Sequence, residues 1–175
     1  MKFDITVEPT GILPEIKVMR PSAGTDHRGE IWTIWERENV LPEHLSFNLC
    51  KFTRSIKNTL RGLHGCFNTW KYMSVPYGEV FFAVVDVREN SPNFLKSQTL
   101  ILNDSNHLGV LVPPGFVNGH LCLSEQCLYH YMMSYEGDYI DPHEQVVLRW
   151  DDERLGINWP TTSPILSERD KKSNI

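Results

Sequence analysis

The feature that most constrains this chain is a series of short apolar runs, each cut off by turn-forming residues. Glu30-Ile31-Trp32-Thr33-Ile34-Trp35, Tyr72-Met73-Ser74-Val75, Glu79-Val80-Phe81-Phe82-Ala83-Val84-Val85-Asp86, Gln98-Thr99-Leu100-Ile101-Leu102, His107-Leu108-Gly109-Val110-Leu111-Val112 and Gln145-Val146-Val147-Leu148-Arg149-Trp150 are rich in β-branched and aromatic residues, the composition of strands. Pro76-Tyr77-Gly78, Asn90-Ser91-Pro92, Asn103-Asp104 and Pro113-Pro114-Gly115 supply the turns between them. Helical periodicity is scarce: Leu41-Pro42-Glu43-His44-Leu45 and Asp151-Asp152-Glu153-Arg154-Leu155 could each form one short turn. Many short strands with regular turn signals predict an all-β sandwich or barrel.

At 175 residues the chain predicts a single domain over 1–175, large enough to bury a core without staples or metals. No repeat or linker interrupts it, and only Lys171-Lys172-Ser173-Asn174-Ile175 reads as a frayed tail. Asp and Glu (22) outnumber Lys and Arg (17), for a formal net charge of -5. That balance argues against a general nucleic-acid binder but allows an anionic small ligand, because a few arginines can dominate one pocket. Cys50, Cys66, Cys122 and Cys127 show no CxxC spacing and read as free thiols. The opening Met1-Lys2-Phe3-Asp4 carries no apolar leader, and no apolar run approaches the ~20 residues that span a bilayer. A cytoplasmic protein is expected.

Seven histidines raise the question of a metal site. A barrel site usually needs two His one residue apart and a nearby carboxylate, because alternate strand residues share a face. Arg61-Gly62-Leu63-His64-Gly65-Cys66 offers one His and no partner at that spacing, and His120 and His130 are too far apart to pair locally. A site assembled across strands stays open. A lone His is more often structural than catalytic, and neither Arg61, three residues before His64, nor Lys71, seven after, must share its face.

Several ordered motifs change that balance. Asp26-His27-Arg28-Gly29, Arg61-Gly62-Leu63-His64, Lys71, Gly78-Glu79-Val80-Phe81 and Val85-Asp86-Val87-Arg88-Glu89-Asn90-Ser91-Pro92 are followed by Val112-Pro113-Pro114-Gly115-Phe116, Trp150-Asp151-Asp152, Leu155-Gly156-Ile157-Asn158-Trp159-Pro160 and Leu166-Ser167-Glu168-Arg169-Asp170. In this order they resemble the dTDP-4-keto-6-deoxyglucose 3,5-epimerases (the dTDP-4-dehydrorhamnose 3,5-epimerase family) over nearly the whole chain. The resemblance implies a cupin-type jelly roll, or double-stranded β-helix, with short helical turns. It also implies a homodimer, a nucleotide-linked 4-keto sugar as substrate, and no metal or organic cofactor. By motif position it places the base at His64, its supporting carboxylate at Asp170, the lysine near the ketone at Lys71 and the opposing acid at Tyr131. It places Arg28 and Arg61 on the diphosphate and nucleotide, and Glu30, Asn48, Asn118 and His120 among the substrate contacts.

The chemistry suits these residue types. A carbon beside a ketone is weakly acidic, so the enolate needs a cation or donor at its oxygen, as Lys71 would supply. The base should titrate near neutrality, which favours His, and a carboxylate behind it fixes the tautomer. Inversion needs an acid on the other sugar face. Tyr129 and Tyr131 share a strand face by period two while His130 faces away. Two arginines offer planar forks of donors for a diphosphate.

Three departures from the family stand out. Val117-Asn118-Gly119-His120 replaces the usual Ala-His-Gly-Phe, Leu49 and Lys51 fill the slots of a Gln-x-Asn pair just after Asn48, and the span from Tyr131 to Tyr139 is about two residues longer. The last change makes Tyr135 and Tyr139 rival acids. All three fall where substrate would be gripped. The chain is similar to the subgroup acting on GDP-linked 4-keto-6-deoxy heptoses in bacterial capsule synthesis, with inversion at C3, C5 or both. A 3,4-ketoisomerase, an inactive sugar-nucleotide-binding cupin and a metal cupin are the competing readings.

Overall fold

In the computed structural model, which describes residues 4–36, 45–137 and 145–172, the apolar runs become strands of two facing sheets. The first sheet orders β1 (Ile5–Pro9), β2 (Lys17–Pro21), β10 (Gly109–Val112), β7 (Thr69–Tyr77), β12 (Gln126–Tyr135) and β5 (Leu49–Ile56). The second orders β13 (Val146–Val147), β6 (Leu60–Cys66), β11 (Phe116–Cys122), β8 (Glu79–Asp86) and β9 (Ser97–Asn103). A separate hairpin joins β3 (Ala23–Asp26) to β4 (Gly29–Trp32). Every pairing between named strands is antiparallel. This is the expected jelly roll.

The long apolar run of β8 follows from burial on both faces. Val80, Phe82 and Val84 point between the sheets and meet Met73, Val110, Phe116 and Leu102. Ala83 and Val85 point the other way, against Leu63, Val117, Leu148 and Leu155, with Phe81 and Trp159 at the margin. A third cluster covers the outer side of the first sheet, where Tyr72 packs with Met19, Leu111 and Met132 and donates to the Ile34 carbonyl. Each such fully buried large side chain contributes about 1.5–3 kcal/mol.

The helical expectations resolve differently. Asp152 caps a 3-10 turn over Glu153–Leu155, accepting from the Arg154 amide. Residues 41–44 of the other stretch lie outside the described residues. One further turn of helix, α1 (Glu168–Lys171), is capped by Ser167 and reaches the expected frayed tail only at Lys171, while residues 173–175 lie outside the described residues.

Candidate active site

The cavity forms between the interior faces of the two sheets, where strand alternation fixes which residues enter. Lys51 and Thr53 come from β5, Lys71 and Met73 from β7, and Tyr129, Tyr131 and Met133 from β12, each set at period two. The facing wall is Arg61 and His64 of β6 with Asn118 and His120 of β11. The cavity is an open cleft of about 360 Å³, enough for a sugar.

Arg61 and His64 are three residues apart and should face opposite ways. The register explains why both enter the cavity. Asn118 pairs with His64, and His120 pairs with Arg61. Two steps on β11 are matched by three on β6, so the extra residue is a β-bulge that resets the alternation. Glycine makes the bulge feasible. Gly62 sits at φ +131°, and a Cβ there would lie 2.4 Å from the Gly119 Cα. Only two glycines let the strands approach this closely.

The His64 Nε2 lies 2.7 Å from Asp170 Oδ1. The helix turn α1 carries Asp170 to the back of the imidazole, and the Ser167 hydroxyl donates to its other oxygen at 2.8 Å. Burial by itself would raise the Asp170 carboxyl, but the His64 bond and charge, the Ser167 bond and Arg169 outweigh it and hold it below the ordinary range. An anionic Asp170 accepting from Nε2–H leaves the Nδ1 lone pair as the basic atom. The Lys71 Nζ donates to the His64 carbonyl at 2.9 Å and to Asn118 Oδ1 at 3.1 Å, which uses two of its three protons. Desolvation pushes its ammonium down to about 8, with Arg169 adding to the effect and Cys66 opposing it.

Seven of the ten residues anticipated from sequence therefore meet in one cavity: His64, Asp170, Lys71, Tyr131, Arg61, Asn118 and His120 all line it. Arg28, Glu30 and Asn48 do not line it within one chain. Arg28 is 79% exposed and paired with Asp26 in its own hairpin. Glu30 meets His107 at 2.9 Å. Asn48 clamps the backbone of Tyr135, accepting from its amide and donating to its carbonyl. Tyr135 stands at the end of β12, outside the cavity wall, and Tyr139 lies outside the described residues. His130 faces away as period two predicts, between Ser74 Oγ at 3.0 Å and Cys50 Sγ at 3.3 Å.

Sequence reasoning named Tyr129 beside Tyr131 on one strand face and Lys51 among the departures from the family, and it gave no role to Ser167 or Arg169. Period-two alternation placed Tyr129 with Tyr131, and the same alternation on β5 places Lys51 with Thr53 in the cavity wall. Arg169, which donates to Gln145 Oε1 at 3.2 Å, adjoins Asp170 but carries no motif signal of its own. With Lys51, Arg61, Lys71 and Arg169 against Asp170 among the titrating side chains of its wall, the cavity is locally cationic in a chain of net charge -5.

A jelly roll that holds a carboxylate-backed histidine, a buried lysine and a facing tyrosine in one cationic cavity defines a class, the cupin-fold carbohydrate epimerases. The sequence model of the family described as dTDP-4-dehydrorhamnose 3,5-epimerase matches residues 10–175, and this chain belongs to that family, a family of isomerases. It is 32% identical to the dTDP-4-dehydrorhamnose 3,5-epimerase of Escherichia coli over 167 residues, covering 91% of this chain and 89% of that protein. It is 36% identical to the enzyme of the same name from Neisseria gonorrhoeae over 165 residues, covering 90% of this chain but about half (49%) of that longer protein. Among solved structures, the dTDP-6-deoxy-D-glucose-3,5-epimerase of Legionella pneumophila in complex with dTDP-4-keto-L-rhamnose aligns at TM-score 0.87 and 30% identity, covering 96% of this chain and 90% of that one. The dTDP-4-dehydrorhamnose 3,5-epimerase of Bacillus anthracis with TDP and PPi bound aligns at TM-score 0.89 and 28% identity, covering 98% and 99%.

Proposed function

We propose that this chain epimerises a nucleotide-linked 4-keto-6-deoxy sugar by proton transfer at a carbon flanking the ketone. The observation that carries the reading is the 2.7 Å contact between His64 and Asp170 in a cavity shared with Lys71 and Tyr131. His64 Nδ1 removes the proton from C3 or C5. The C–H electrons form the carbon–carbon double bond of the enolate, and the carbonyl π electrons move onto the ketone oxygen. The remaining N–H of Lys71 stabilises that oxygen. Tyr131 returns a proton from the opposite face, which inverts the centre, and the enolate electrons reform the ketone. Arg61, Lys51 and Arg169 supply the positive field for a diphosphate. No step calls on a metal or organic cofactor.

The finer reading is a GDP-linked 4-keto-6-deoxy heptose, processed in the cytoplasm for capsule or other surface polysaccharide. Its support is the departure at Asn118 and His120, both of which line the cavity. The dTDP-linked substrates named for the relatives are the comparison. A homodimer accompanies this reading. The edge strand β5 leaves Phe52 (61%) and Ile56 (58%) exposed, an apolar pair suited to a second copy. The test is a panel of GDP- and dTDP-linked 4-keto sugars in deuterated water, followed by NMR. Deuterium at C3 or C5 with inverted configuration supports the epimerase, and the nucleotide preference decides the finer reading. A 3-keto product assigns a ketoisomerase instead, and binding without exchange assigns an inactive sugar-nucleotide binder.

A further inference from the structure

His120 and Tyr129 meet ring against ring in the cavity lining, from β11 and β12 of the two facing sheets. Their rings stack at 3.8 Å between centroids and 13° between planes. Both side chains are more than nine-tenths buried, at 4% and 3% exposure. His120 Nε2 and the Tyr129 hydroxyl make no hydrogen bond of good geometry, although the Asn118 side chain stands within reach of the hydroxyl. Both residues line the cavity. Buried polar atoms in folded proteins are almost always paired. Two such atoms, side by side where the two walls of a ligand cavity meet, are open positions for a partner that arrives with the ligand.

We propose that the stacked His120–Tyr129 pair is a specificity plate that hydrogen-bonds an uncharged hydroxyl on the sugar, away from the ketone. The inference rests on the epimerase reading and names what that site selects. Position comes from register. Tyr129 is one interior step, about 7 Å, along β12 from Tyr131, and His120 pairs with Arg61 rather than with His64. The plate therefore sits in the row beyond the acid, on the side away from Lys71, which stands opposite Met133. Charge selects the ligand group. Burial pushes the His120 imidazole down to about 3, with Arg61 and His64 adding to it, so the ring is neutral at working pH. A neutral imidazole and a phenol offer both donor and acceptor, the complement of a hydroxyl rather than of a phosphate. Stacking holds both rings in fixed rotamers, so recognition costs little ordering. A phenylalanine, which the family's Ala-His-Gly-Phe pattern carries at position 120, could stack there but could not read a hydroxyl.

Titration calorimetry tests this without requiring turnover. The probes are dTDP-glucose and GDP-mannose, each compared with dTDP or GDP alone, on wild type, Tyr129→Phe and His120→Phe. Tyr129→Phe removes one oxygen and keeps the stack, and equal melting temperatures verify its fold. The expected result is that each variant weakens sugar-nucleotide binding at least about 5-fold while the Kd for the free nucleoside diphosphate stays within about 2-fold. Unchanged affinities for both probes in both variants overturn the plate and leave the epimerase reading standing. So does a parallel loss for nucleotide and sugar nucleotide, which marks a structural role. Wild type that binds no sugar nucleotide overturns the epimerase reading and the plate together.

Discussion

His64 and Asp170, 106 positions apart in the chain, meet Nε2 to Oδ1 at 2.7 Å, with the carboxylate 3% exposed and the imidazole 21% exposed. The carboxylate orients a ring whose other face is open to the cavity. His64→Asn is expected to abolish deuterium exchange at both carbons while the fold survives, because among the described residues no other presents a basic nitrogen backed by Asp170 at that point. Asp170→Asn keeps the shape but can favour the wrong tautomer, so it should lower kcat by about 10²–10⁴. NMR exchange rates and circular dichroism check both. Retained exchange in His64→Asn removes His64 from the role of base.

Lys71 sets an alkaline limit. Desolvation lowers its ammonium to about 8 from an ordinary 10.5, so it is protonated below about pH 8 and neutral above. If the charged form stabilises the enolate, kcat/KM should fall tenfold per pH unit above that point. Lys71→Gln should lower kcat by about 10²–10³ and remove the alkaline limb. A pH–rate profile of both proteins measures this, and a limb that persists in Lys71→Gln assigns it to another group.

The parts of this structure that sequence reveals are those where one physical demand acts alone. β8 reads as a strand because both faces are covered, so its residues are apolar throughout. β6 and β11 carry the base-side wall and escape pattern reading, because Gly62, Gly65 and Gly119 interrupt them and polar His64, Asn118 and His120 face inward. There a ligand cavity, not a core, sets the residue type. The His64–Asp170 pair has no local signature at all, since a contact across 106 positions depends on where α1 docks, and only the ordered motifs suggested it. Arg28 and Glu30 were suggested the same way, yet they lie on the β3–β4 hairpin with Asp26 and His107 as partners. Motif position fixes a place on the fold and not the company a side chain keeps.

The bulge gives a stability prediction separate from activity. Gly62→Ala places a methyl at φ +131° and 2.4 Å from the Gly119 Cα, where backbone meets backbone and neither can turn aside. A cost of about 2–4 kcal/mol is expected, a fall in Tm of about 5–15 °C for a chain of this length. Gly156→Ala is the control, since its φ of +60° carries conformational strain but nothing lies within 4 Å of the added carbon. Calorimetry of the two variants separates steric clash from backbone strain. Equal losses would mean that the close approach of β6 and β11 adjusts freely.

Tyr131 is distinguished from the base by which event fails without it. Its partner strand places Lys51 beside it on β5 and Met73 on β7, all three in the cavity, across from the wall that holds His64. Removing the phenol proton should leave abstraction intact, because His64 and Lys71 still generate the enolate. Tyr131→Phe is therefore expected to exchange deuterium into C3 or C5 at a rate within about tenfold of wild type, while net inversion falls by about 10²-fold or more. The deuterium then returns from the His64 side with retention. NMR of product configuration beside isotope content measures both quantities in one sample. Full inversion by Tyr131→Phe removes Tyr131 from the role of acid.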